Sequence, residues 1–358
     1  MIGILKLAGA AAVAAGVALF LTSAPMKAEL SAPVISDGEL PTDKNNTVVP
    51  DKTEKPDAPV LEKPSELPLE ITDTVKFCGK DAISATETMV VRNGGVLYLD
   101  EGCTAELRGT LKIENGGEVY IMGALDSKAG SLIINNGLIK IVKGGGLSLG
   151  GKLAVNKAGI VSGGGTLDVL NDFSDIVCNG TVTAPIKAPE PVVRNGVTYV
   201  GGVLLVNKQY GLPEDFGTDL NSSAYSALLK MREASGYEME ISSGYRSYAT
   251  QKSTFEYWAS IDGYEKASTY SALPGHSEHQ AGLAMDITTT EDWYADTDEA
   301  KWLAENCWRY GFIIRYPEGK THITGYIYEP WHIRYLGNST AKLVHDSGLT
   351  LEEFLGVV

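Results

Sequence analysis

Glycine- and asparagine-rich turns recur along this chain at a nearly constant interval. "NGG" stands at 93 and 115 and "NNG" at 135, a step of 20–22 residues. Between and after these turns lie short β-favouring runs: "NGGVLYL" at 93, "RGTLKI" at 108, "NGGEVYI" at 115, "GSLII" at 130, "NNGLIKI" at 135, "GGKLAV" at 150 and "GGTLDV" at 164. Nineteen of the forty glycines fall between 91 and 180. Short strands punctuated by Gly/Asn turns at a fixed period predict an all-β, solenoid-like region over 72–190, with a further strand about midway between successive turns. A small β-sandwich of Gly-rich hairpins is the competing arrangement. The aromatic residues here are Phe77, Tyr98, Tyr120 and Phe173, and no titratable cluster accompanies them. The region reads as a spacer or adhesive module, not as a place for chemistry.

What precedes it is different. Residues 1–28 carry an early lysine and then an apolar run from Leu7 to about Leu21, the layout of an export signal that is also nearly long enough to span a bilayer. A cleaved signal and a retained N-terminal membrane anchor both fit, and either one places the rest of the chain outside the cytoplasm. Residues 29–70 hold seven of the fifteen prolines, ten acidic residues and no aromatic residue. Such a segment buries too little apolar surface to offset chain entropy, so 29–71 is expected to be a disordered tether. Four cysteines, Cys78, Cys103, Cys178 and Cys307, are too few for a disulfide scaffold; a Cys78–Cys103 bridge and isolated buried thiols are both compatible with an exported chain. A net charge of −15 excludes nucleic acid as a partner, because phosphate contacts need clustered Lys and Arg.

Residues 191–358 change character again, holding all five tryptophans and all five histidines. Helical patterns run through 222–236, ending at Gly236, and through 247–261. Another follows "DTDEAKWLAENCWRYG", where Asp296 and Glu299 are placed as a capping box before Gly311. Two β-type segments follow at 311–317 and 326–337, then a last helix pair in which Thr350 and Glu353 are placed as a second capping box. Helices interleaved with few strands indicate an α+β domain.

The stretch "PGHSEHQAGLAMDI" puts His276 and His279 three residues apart and Asp286 seven residues beyond the second. A catalytic zinc site needs about three N or O ligands with one position left open for water, and a carboxylate off the metal to take the water's proton. "SEHQAGLAMD" offers His279 and Asp286 separated by small residues, Ala281, Gly282 and Ala284, that permit a tight return of the backbone. "EPWH" offers Glu329 and His332. On a regular strand these two would face opposite sides, but Pro330 breaks that geometry.

Together with "SGYRSYATQ" at 243–251, the stretches "SEHQAGLAMD" at 277–286 and "EPWHIRYLG" at 329–337 resemble the three motifs of the VanY-type D-alanyl-D-alanine carboxypeptidases. These belong to the zinc peptidase group that includes the lysostaphin-like enzymes and the hedgehog fold. "YVGGVLLVNKQYGLP" at 199–213 resembles the entry to that domain, so the likeness covers about 198–358. It implies Zn2+ held by His279, Asp286 and His332, with Glu329 as general base and Arg246 stabilising the developing oxyanion. It further implies that Ser277, Gln251 and Tyr316 hold the free C-terminal carboxylate of a peptidoglycan stem peptide. The implied function is removal of the terminal D-alanine at the cell surface, with the β-region available to contact the wall. An L,D-carboxypeptidase or endopeptidase of the same fold is an alternative, and a wall-binding protein with an inactive peptidase domain is another. His276, His322 and His345 are read as bystanders. Trp331, Arg334 and Tyr335 are read as structural, and Arg315 as facing either substrate or solvent.

Overall fold

The computed structural model describes residues 68–358 apart from 79 and 85; the expected export signal or anchor, and the expected tether up to residue 67, lie outside them. The β-region is a three-sided solenoid of three six-stranded parallel sheets, each strand pairing with the third strand before and after it. Val90 lies beside Lys112 and Lys112 beside Ile134, a rise of one turn per 22 residues at that point. Alternate side chains point inward, and Met89, Leu111, Ile133, Leu153 and Ile176 stack as one column, none more than 1% exposed. The sequence pattern indicates two strands per turn where the structure has three. The additional faces are built from runs such as Thr104–Leu107 and Ala124–Ser127. A four-residue strand contributes only two inward side chains, too few for an apolar run to stand out. The first strand, Glu70–Ile71, already pairs with Val90 and Val91. Ile71 is buried, so the solenoid begins just inside the segment expected as tether. The Gly/Asn corners are steric necessities. Gly94 has φ +83°, and a Cβ on Gly95 would stand 2.2 Å from the Ile71 carbonyl oxygen.

The C-terminal domain is built on a four-stranded antiparallel sheet of β1 (Ile241–Ser243), β2 (Ala284–Ile287), β3 (Phe312–Ile314) and β4 (His332–Tyr335), in the order β1-β2-β4-β3. Helix α1 (Ser222–Ser235) lays Leu228 and Met231 against Met285, Ile287, Phe312 and Ile333 of this sheet. It is capped by the Asn221 side chain, which accepts from the Ser223 and Ala224 amides, and it ends at Gly236 with φ 74°. Helix α2 (Tyr248–Asp262) is capped by Ser247. Helix α3 (Asp298–Asn306) does not use the Asp296–Glu299 box. Thr297 is its N-cap, while the Glu299 carboxylate accepts from the hydroxyls of Thr288 and Tyr294. Those two tertiary donors outcompete the local pair. The Thr350–Glu353 box forms as the sequence indicates. The segment expected as β over 326–337 is strand only from His332, because Pro330 lies in the turn before it.

Helix α4 (Asn338–Ser347) packs against the last strands of the solenoid, and the two regions share one core. Ile176, Cys178 and Val182 join Ala341, Leu343, Val344, Leu351 and Phe354 in a single cluster. The Phe173 and Phe354 rings are 5.0 Å apart across the junction, and the Cys178 amide donates to Ser339 Oγ at 3.2 Å. Among the described residues the cysteines form no disulfide; the buried Cys103 thiol donates to the Phe77 carbonyl at 3.1 Å, and Cys78 is exposed.

A shared core predicts shared unfolding. In calorimetry of the full chain, the solenoid and the C-terminal domain should melt in one transition. Phe173→Ala should destabilise that transition by about 3–5 kcal/mol, the usual cost of emptying a buried phenylalanine site. Separate transitions for the solenoid and the C-terminal domain in the unmodified protein would contradict the coupling.

Candidate metal centre

Strand pairing brings the site together. Asp286 of β2 stands directly opposite His332 of β4 and pairs on its other side with Ser243 of β1. Cross-strand partners lie about 4.5–5.5 Å apart, which is why two residues distant in sequence face one another. His279 arrives from a 3-10 turn, Glu278–Ala281, that is closed by Gly282 at φ 67°. A Cβ on Gly282 would sit 2.3 Å from the Asp219 carbonyl oxygen. The small residues of the motif therefore fold the chain back as the spacing suggests.

One ligand atom from each of His279, Asp286 and His332 lies within 4.8 Å of the others, and all three residues are buried. His279 Nδ1 donates to the Gly244 carbonyl at 2.7 Å, which leaves Nε2 facing Asp286 Oδ2 at 3.2 Å. His332 Nδ1 faces Asp286 Oδ1 at 3.2 Å. Among the described residues that buried Asp286 oxygen has no hydrogen bond, an arrangement that costs free energy unless a cation, the protonated His332 or a metal ion, stands against it. Two imidazole nitrogens converging on an orphaned carboxylate oxygen suit zinc in donor type and number.

Glu329 sits in the turn before β4, its Oε2 3.5 Å from His332 Nδ1. Sharing one tight turn, Glu329 and His332 address the same space, the outcome that Pro330 makes feasible. Arg246 reaches in from the start of α2. Its Nη1 donates to Gln251 Oε1 at 2.9 Å and its Nη2 to Ser243 Oγ at 2.6 Å, and Nη2 stands 3.6 Å from Asp286 Oδ2. Ser277 and Tyr316 line a cavity of about 650 Å³ that opens from His279, Asp286 and His332. The Tyr316 ring is 4.8 Å from that of His332 and 4.5 Å from that of Tyr326.

Gln251 stands elsewhere than the resemblance implies. It is fully buried and does not line the cavity. Its amide oxygen accepts from Arg246 and its amide nitrogen donates to the Ala272 carbonyl at 2.7 Å. Both ends are occupied by protein, so Gln251 orients Arg246 and does not face a substrate. Arg315 faces neither substrate nor solvent. It is 0% exposed, its Nη1 donates to Glu352 Oε2 at 2.9 Å, and its Nε donates to Glu278 Oε1 at 2.8 Å. Arg334 also donates to Glu278 Oε1, and to the Leu204 carbonyl. His276 is outside the ligand group, its Nδ1 donating to the Asn207 carbonyl at 2.7 Å. His345 stacks on Trp308 at 4.7 Å. Trp331 packs with Tyr294 and Ala300 at the cavity wall.

Sequence reasoning passed over Glu278. Its one signal was an acidic residue immediately before His279. It is 1% exposed, and its Oε2 stands 3.5 Å from His332 Nε2.

The electrostatics follow from this crowding. Burial works against the Asp286 carboxylate, but His279 and His332 outweigh it and hold the group far below the usual carboxylate range. Burial likewise opposes ionised Glu278, and Arg334 and Arg315 overcome it. Burial lowers His279. It pulls on His332 too, yet the Asp286 and Glu278 carboxylates carry that imidazole up to about 9. Burial pushes Glu329 up to about 8, with Asp286 adding to this and His332 opposing it.

Residues 218–338 match the model of the VanY family, described as D-alanyl-D-alanine carboxypeptidase. YodJ of Bacillus subtilis (strain 168), a protein bearing a carboxypeptidase name, is 42% identical over 178 residues. That alignment takes in 42% of this chain and 65% of YodJ, so the chain spans a little under two-thirds of that relative's length. The bifunctional D-Ala-D-Ala dipeptidase and D-Ala-D-Ala carboxypeptidase VanXYC of Enterococcus gallinarum is 38% identical over 135 residues, 35% of this chain and 71% of that protein. Among solved structures, the LdcB LD-carboxypeptidase is 38% identical, covering 47% of this chain and 94% of its own, with a TM-score of 0.43.

The raised His332 pKa predicts how metal binding depends on pH. A histidine raised above its ordinary value of about 6.5 is held protonated in the metal-free chain. The stability this contributes is present below about pH 6.5 and is lost as pH rises through about 9. A metal must displace that proton, so zinc affinity measured by chelator competition should tighten by about tenfold per pH unit from pH 6 towards 9. A flat profile would mean that His332 is not a ligand.

Proposed function

The chain belongs to the VanY D-alanyl-D-alanine carboxypeptidase family through its C-terminal domain, and we propose that it is an exported, zinc-dependent enzyme that removes the C-terminal D-alanine of peptidoglycan stem peptides. The observation that carries this reading is the convergence of His279, Asp286 and His332 within 4.8 Å, with the uncommitted carboxyl of Glu329 beside them at the head of a cavity. A zinc ion held there would supply Lewis-acid activation of water and of the scissile carbonyl.

The chain's own residues supply the remainder. Glu329, with a pKa pushed up to about 8, is suited to accept the proton of the attacking water and pass it to the leaving amine. Arg246, held by Ser243 and Gln251, presents a fixed guanidinium to the negative charge that develops on the carbonyl oxygen. Ser277 and Tyr316 line the cavity wall beside the ligands, which supports a role for them in holding the substrate's terminal carboxylate. That grip confines the reaction to a chain end.

The cavity continues along α2, where Thr254, Trp258 and Asp262 form one wall. Residues four apart on a helix are about 6 Å apart along its axis, so this wall runs for about 12 Å. That length accommodates three to four extended residues, at about 3.3–3.6 Å each, and supports an oligopeptide substrate over a free dipeptide.

Full-length protein incubated with tripeptide, tetrapeptide and pentapeptide stems, with and without chelator, tests the reading by mass analysis of the released amino acid. D-alanine released from the pentapeptide, and abolished by chelator, is the expected result. Release from the tetrapeptide alone would assign L,D-specificity, and release from none with zinc present would sink the enzymatic reading. Glu329→Gln should lower kcat by about 10³-fold while leaving zinc bound. Trp258→Ala should lower kcat/KM for the pentapeptide and leave that for D-Ala-D-Ala unchanged.

A further inference from the structure

We propose that Glu278 is a positioning residue that decides which nitrogen of His332 carries the proton, and thereby whether the metal site can assemble. The inference rests on the reading of His332 as a metal ligand.

A neutral imidazole has one N–H and one lone pair. The Nδ1 of His332 faces the centre, 3.2 Å from Asp286 Oδ1 and 3.5 Å from Glu329 Oε2. A metal at that position needs the Nδ1 lone pair, so the proton must sit on Nε2 and must find an acceptor there. The group facing Nε2 is Glu278 Oε2 at 3.5 Å. Both atoms are buried and neither has another hydrogen-bond partner among the described residues, so each is available to the other, and a small ring rotation closes the remaining gap.

The other carboxylate oxygen is already committed. Glu278 Oε1 accepts from Arg315 Nε and from Arg334 Nη1, and guanidinium groups only donate. Arg315 is clamped in turn by Glu352 of the C-terminal helix Leu351–Phe354. Arg334 is held by the Leu204 carbonyl. With both arginines locked, the carboxylate cannot turn away. The site thus demands an acceptor at each end of residue 278, a demand that an ionised carboxylate meets and an amide does not. In Glu278→Gln the two arginines would take the single amide oxygen, leaving the NH2 against His332 Nε2. That donor requires a lone pair at Nε2 and sends the proton to Nδ1, the nitrogen the metal needs free. An isosteric change of one atom would therefore invert the tautomer of a ligand it does not replace.

Zinc affinity of the full chain, measured by chelator competition, provides the readout without peptide cleavage. Glu278→Gln should weaken zinc about 10- to 100-fold, the usual effect of removing the carboxylate behind a ligating histidine. Glu352→Gln is the control. It disturbs the same buried charges through Arg315 but leaves the contact with His332 in place, and it should bind zinc within about threefold of the parent. Unchanged affinity in Glu278→Gln, or equal weakening in Glu352→Gln, overturns the proposal. Should Glu278→Gln fail to fold, the unmodified zinc-loaded protein decides the matter by long-range ¹H–¹⁵N NMR. A His332 proton on Nε2 with zinc on Nδ1 supports the proposal, and zinc on Nε2 refutes it. A protein that binds zinc through Nδ1 yet cleaves no stem peptide would sink the carboxypeptidase reading and leave this inference standing.

Discussion

Four charged side chains with almost no access to water hold the candidate metal site in place. Glu278, Arg315, Arg334 and Glu352 are each no more than 2% exposed. An isolated charge in such surroundings would be prohibitively costly, and even paired charges repay desolvation only when their hydrogen bonds are met. Two carboxylates facing two guanidiniums balance, and the geometry ties four separated segments: the 3-10 turn with His279, the stretch after β3, strand β4 with His332, and the C-terminal helix. Removing one member would leave the others buried and uncompensated. The cluster is therefore better understood as specifying one arrangement than as adding net stability.

The second organising constraint is the open end of the solenoid. A stacked β-structure exposes the apolar interior of its terminal turn unless something covers it. At the C-terminal end that cover is helix α4 of the peptidase domain, which follows β4 directly and places Leu343 and Val344 in the core that also holds Ile176 and Val182. The element that caps the column is thus joined through Leu336 and Gly337 to the strand that carries His332. The candidate site is consequently mounted on the column through a continuous core and not through a loose hinge.

Chemistry and stability pull against each other at Glu329. The same burial that lifts its pKa to about 8, a value suited to proton transfer near neutrality, disfavours the ionised form in the folded, metal-free chain. Asp286 is the opposite case, kept ionised by two imidazoles. Two carboxyls in one site are driven apart by their neighbours, the separation that distinct ligand and base roles would require.

Periodic glycine turns were enough to indicate a stacked β-region, because a Cβ at those corners would collide with the backbone of the next turn. Two short motifs offered His279, Asp286, His332 and Glu329, and their likeness to the VanY-type carboxypeptidases singled these four out; local constraints, small residues that fold the chain back and a proline that ends a strand, make their convergence feasible. The Thr350–Glu353 cap was legible for the same reason. Other features had no local signal. The third face of each solenoid turn consists of strands with two inward side chains apiece. The Asp296–Glu299 cap yields to hydroxyl donors from Thr288 and Tyr294. Gln251 turns its amide to Arg246, and Glu278 becomes an anchor of the site because Arg315, Arg334 and Glu352 surround it. The sequence by itself determined which residues could bind a metal and where the chain must turn. The tertiary structure decided which polar groups are buried together, because the partner that satisfies a buried charge is set by packing between segments distant in sequence.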